Sequence, residues 1–159
     1  MLFRSLGRKR GTTWFRPLSG KHSDDETWPG LLILRTEGRV FFANAQRIGE
    51  KMAALVEQAR PSVVILDCSA IPDLEYTALM MLIGAEERLR RLGIALWLAA
   101  LNPEVLAVVR RSPLAQTLGT ERMLFNLQAA VAKYVHSLPA LAHDRPSYEK
   151  ETTHEIGSS

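Results

Sequence analysis

Residues 67–79 read DCSAIPDLEYTAL, a stretch that gathers carboxylates, a thiol and hydroxyls within a few turns of chain. Asp67, Asp73 and Glu75 lie close enough in sequence to act as an acid–base pair or to hold a cation. Thr77 is a hydroxyl where a helix is expected to begin, and a helix N-terminus receives phosphate well. Phosphorylation there adds close to two negative charges, helped by the helix dipole and opposed by Asp73 and Glu75. Each group also has a plainer use. Asp73 and Glu75 can complement the positive helix end, at about 0.3–1 kcal/mol each. Asp67 can bond loop amides, and the Thr77 hydroxyl can bond a nearby carbonyl. No base or nucleophile accompanies the carboxylates, so the plainer use is preferred to catalysis. Cys68 has no neighbouring His to activate it and is expected to pack at a strand end.

Other chemistry is thinly represented. His22, His136, His143 and His154 are scattered, without zinc-type spacing to each other or to Cys68. There is no GxxxxGK phosphate loop and no G-x-S-x-G elbow. No metal, cofactor or catalytic constellation is therefore expected. The lone Cys68 excludes an intramolecular disulfide and fits a reducing compartment.

These residues need elements to position them. Val63 to Leu66 is an unbroken aliphatic run, as expected of a strand covered on both faces. It should lead through a short loop into a helix from about Glu75 to Leu92, stopped by Gly93. Upstream, Leu31–Arg35 and Arg39–Phe42 flank Thr36-Glu37-Gly38 and suggest a hairpin. Asn44 suits the cap of a helix with Ile48, Met52, Leu55, Val56 and Ala59 on one face, ended by Pro61. Downstream come a strand over Ile94–Leu98, a helix opened by Asn102-Pro103 and interrupted at Ser112-Pro113, and a short strand Met123–Phe125. A last helix is capped by Asn126, carries Leu127, Val131, Tyr134 and Val135, and closes at Pro139. The order β-β-α-β-α-β-α-β-α predicts an α/β fold, a mixed β-sheet flanked by helices.

The chain of 159 residues is 47% hydrophobic and 23% charged, enough for one cored domain. No apolar run approaches the roughly 18–20 residues that cross a bilayer, and no signal-peptide pattern follows Met1. Residues 1–29 have no sustained period and read as a basic linker or arm. Arg8, Lys9 and Arg10 could meet an acidic membrane surface. Aromatic residues do not interleave these bases, so nucleic acid is not an expected partner. Residues 139–159 are polar and expected to be a disordered tail, leaving 30–138 as the domain.

The strand ending VVILDCSA, its short loop and the acidic–hydroxyl pair beyond it resemble the STAS domain. That fold is shared by anti-sigma factor antagonists and by the cytoplasmic C-terminal part of SulP-type (sulphate permease) anion transporters. In the antagonists this stretch reads D-S-S-G, and a partner kinase phosphorylates the second serine. Here the register falls on Glu75, Tyr76, Thr77 and Ala78, each changed from the antagonist residue. PGLLILR at 29–35 and VFFANA at 40–45 look more like the transporter branch. Leu6-Gly7-Arg8, Phe15-Arg16 and Asp24-Asp25-Glu26 look like the linker that follows the last membrane helix there. The resemblance covers roughly residues 6–138 and implies a non-enzymatic regulatory module at the inner face of a membrane. Its docking loop would comprise Asp67, Ser69, Asp73, Glu75, Tyr76 and Thr77, with Thr77 as the switch position. Its partner would be a transporter membrane domain, another STAS domain or a kinase. The alternative is a soluble anti-sigma factor antagonist switched by phosphorylation at Thr77.

Overall fold

The computed structural model describes residues 3–36 and 45–141. Three aliphatic runs form β3 (Leu31–Thr36), β4 (Val63–Asp67) and β5 (Ala95–Ala99), parallel and adjacent. A two-residue strand, Met123–Leu124, extends them as β6, also parallel. On the other side β1 (Phe3–Arg8) pairs antiparallel with β3, and β2 (Phe15–Pro17) pairs antiparallel with β1. The sheet order is β2-β1-β3-β4-β5-β6.

Two strands therefore stand where residues 1–29 read as an arm. Phe3 and Leu6 are buried, which decides the matter energetically for β1. Charge also folds inward. Arg8 donates to Glu26 at 2.5 Å and to Gln128 at 3.0 Å, and its guanidinium lies over Trp28. Arg16 forks onto Asp25 through two bonds of 2.8 and 2.6 Å. The acidic cluster that follows the basic segment is its internal counter-charge. Of the three bases expected to meet a membrane, Lys9 and Arg10 are exposed, whereas Arg8 is committed within the chain.

Alternation along each strand divides the core. Leu32, Leu34, Val64, Leu66, Leu96 and Leu98 face one side. There they meet α1 (Ala45–Ala59), α2 (Tyr76–Arg91), α3 (Pro103–Arg110) and α4 (Leu114–Leu118). Ile33, Val63, Ile65 and Trp97 face the other, under α5 (Leu127–Leu141). Helices on both faces are what a parallel sheet requires. The expected apolar stripe of α1 holds at Ile48, Met52 and Val56, which are buried, while Ala59 is exposed. Gly93, at φ +76°, ends α2 as expected.

Three expectations are revised. The antiparallel neighbour of β3 is β1; the expected partner Arg39–Phe42 and the cap Asn44 lie outside the described residues. Phe125 is 89% exposed rather than part of β6. Helix α5 runs through Pro139 to Leu141 instead of closing at the proline. Of the expected tail, residues 142–159 lie outside the described chain.

Candidate functional site

Strand β4 ends at Asp67, and the loop to α2 is fixed at several points. Asp67 is 1% exposed. Its Oδ2 accepts from Arg35 Nε at 2.6 Å, and its Oδ1 accepts from the Ser69 amide at 3.0 Å. Arg35 stands beside Asp67 in the β3–β4 ladder, so the pair is built into the sheet register. The Cys68 amide bonds the Ala99 carbonyl, and Ile71 is buried in the core below α2. Asn102 spans the loop from the far side. Its Nδ2 donates to the carbonyls of Ile71, at 3.1 Å, and Pro72, at 2.9 Å. Its Oδ1 meanwhile accepts the Val105 amide and caps α3.

The loop is thus held as far as Pro72, beyond which Asp73, Glu75 and Tyr76 face solvent. Glu75 is the N-cap of α2 by backbone geometry, with φ −69° and ψ 159°, and its carboxylate makes no cap bond. Tyr76 is 76% exposed, and Met80, one turn on, is 45% exposed. Thr77 is half-buried; among the described residues its hydroxyl makes no hydrogen bond, in contrast to the expected bond to a carbonyl.

The carboxylates separate by environment. Asp67 is buried and neutralised by Arg35, while Asp73 and Glu75 are on the surface. No group of three or more His, Cys, Asp or Glu among the described residues could hold a metal ion. Cys68 is fully enclosed; burial, with the adjacent Asp67 charge, pushes its thiol up to about 12. It stays protonated at neutral pH and is no nucleophile. Sequence reasoning placed Asp67 in its loop-ordering role and missed Arg35 and the bridging half of Asn102. Among the described residues no helix is long and apolar enough to cross a membrane.

Comparison with known proteins agrees with this geometry. The family model described as "STAS domain" matches residues 22–133. A high affinity sulfate transporter 2 from Stylosanthes hamata is 25% identical over 139 residues, covering 81% of this chain and 21% of the transporter. The chain therefore spans about a fifth of the length of the curated relatives it matches. The STAS domain of a SulP transporter from Vibrio cholerae superposes with a TM-score of 0.63 at 19% identity, covering 76% of this chain and 92% of that one. An anti-sigma factor antagonist from Mycobacterium paratuberculosis gives a TM-score of 0.57 at 19% identity, over 68% and 88% of the two chains. A mixed sheet with helices on both faces, a buried Asp67 at the end of its central strand and a family match across most of the chain lead to one conclusion: this chain belongs to the STAS domain family.

Proposed function

We propose that this chain is a non-enzymatic interaction module of the SulP transporter type, acting through protein contacts at the β4–α2 loop. What carries the reading is Tyr76, a large aromatic side chain 76% exposed just beyond a loop that is pinned as far as Pro72. Tyrosine is favoured at interface centres because it buries much area with few rotors to order. Met80 adds an apolar contact one turn along the same helix face. Asp73 and Glu75 give the edge a negative border, and Asp67 holds the loop from beneath. The partner is the membrane part of an anion transporter, and the module sits at the inner face of the membrane, with Lys9 and Arg10 toward acidic lipid.

The test is anion uptake, sulfate first, by native cells whose own chain is replaced by Tyr76→Ala. Tyr76 is exposed, so folding should be unaffected, and circular dichroism with blotting checks this. Uptake is expected to fall several-fold at equal protein level. Unchanged uptake would remove this reading. The antagonist reading is addressed in the same cells with Thr77→Ala and Thr77→Glu. It requires that the first bind its kinase partner constitutively and the second not at all, and equal binding excludes it.

A further inference from the structure

The helices α1 and α2 lie side by side on the sheet but do not close the space between them. A cleft of about 440 Å³ remains, floored by Met52, Val56, Leu89 and Ile94. That size is within the range of small-ligand sites, roughly 300–1,000 Å³. Its openness has a sequence cause. The facing positions are small: Gly49 and Ala53 on α1, Ala85 on α2. A Cβ placed on Gly49 would meet nothing within 4 Å. Small residues on both walls over a large apolar floor leave room for an alkyl chain between the helices.

Charge at the rim identifies the head group. Near its C-terminus α2 carries Arg88, Arg90 and Arg91. Arg90 has Glu86 four residues earlier at 3.6 Å, and Arg91 has Glu87 at 2.7 Å. The residue four before Arg88 is Gly84, which has no side chain to offer. Arg88 accordingly has no ion-pair partner among the described residues, and it lines both the cleft and a second cavity of about 440 Å³ that shares Gly49 and Ala53 with it. Glu57 lines the opposite wall, and Arg60, with interactions of its own, closes that end.

We propose that the α1–α2 cleft binds a free single-chain amphiphilic anion, such as a fatty acid. Its alkyl chain runs between the helices over Met52, Val56 and Leu89, and its carboxylate meets the Arg88 guanidinium. A guanidinium grips a carboxylate through paired N–H donors. Chain length contributes about fourfold in affinity per buried methylene. The alkyl site stands on α1 and the C-terminal half of α2, apart from Tyr76 and the β4–α2 loop, so Tyr76→Ala and Arg88→Gln test the two readings separately.

Calorimetry and amide chemical-shift mapping of the whole chain, with dodecanoate as the probe below its micelle concentration, test this directly. Dodecanoate is expected to bind one to one and to shift the amides of Gly49, Ala53, Ala85 and Leu89. Octanoate should bind about 250-fold more weakly, four methylenes at fourfold each. Arg88→Gln should weaken dodecanoate at least tenfold, and Ala53→Trp should block it. Both positions are exposed, so neither change threatens the fold. Dodecyltrimethylammonium, which would favour Glu57, should bind at least tenfold more weakly than dodecanoate. No binding of dodecanoate at about 1 mM, equal binding of the cationic probe, indifference to both substitutions, or shifts confined to another face would each overturn the proposal.

Discussion

Asp67 does its work by being bonded on both oxygens. One oxygen accepts from Arg35 across the ladder and the other holds the Ser69 amide, so the side chain couples sheet to loop. Asp67→Asn keeps the shape but removes the charge opposite a half-buried guanidinium. It should destabilise the chain by about 2–4 kcal/mol, measured as a lower urea midpoint, with exchange at the Ser69 and Ile71 amides rising most. A loss below about 0.5 kcal/mol would mean that water replaces the carboxylate without cost. At this scale the sequence was partly readable. Aspartate after a buried strand suggests a turn-forming carboxylate, as Asp67 proved to be. Arg35 is 32 residues away, and Asn102 reaches back 31 residues to the loop. Neither partner has a local signature, because sheet register and helix placement bring them together.

Among the elements, those with long apolar runs or clear stops were legible: β4, α2, β5 and the Asn102-Pro103 start of α3. The short ones were not. In β1, FRSLGR, the pattern is broken by Gly7, whose Cβ would lie 2.6 Å from Leu18. A glycine there admits close chain crossing and hides the strand from a periodicity search. Gly30 sets up β3 in a comparable way. Its φ is +78°, and an added Cβ would stand 2.7 Å from Tyr134 Oη, which donates to the Pro29 carbonyl. The glycine thus lets α5 lock onto the start of β3. Gly30→Ala should cost about 2–4 kcal/mol, part from the left-handed backbone and part from displacing Tyr134. With Tyr134→Phe as background the added cost of Gly30→Ala should shrink, since the clashing oxygen is gone. An undiminished cost in that double-mutant cycle would assign the whole effect to backbone strain.

At the scale of the molecule, β1 and the Arg8–Gln128 bond join the N-terminal segment to the domain, and two acid–base pairs hold that segment together. Arg16 holds the Asp25 carboxyl below its ordinary value of 3.8, first through their hydrogen bond, and Arg8 does the same for Glu26 below 4.5. A carboxyl depressed in the folded state stabilises above its unfolded pKa, and that contribution is lost as pH falls through the lower folded value. Below about pH 4, residues 3–26 should therefore loosen before the core. Hydrogen exchange should show the Arg8, Leu18 and Glu26 amides losing protection while Val64 to Leu66 keep theirs. Simultaneous loss would mean the segment and core unfold as one unit. The segment carries a further consequence, in the optics of the chain. The three tryptophans stand in three environments: Trp14 is 69% exposed, Trp28 lies beneath Arg8 and beside Phe15 at the edge of the α5-side core, and Trp97 is 6% exposed within that core. Emission from a variant retaining Trp28 alone follows the N-terminal strands, and one retaining Trp97 alone follows the sheet, so the molecule is already labelled for watching its two parts separate.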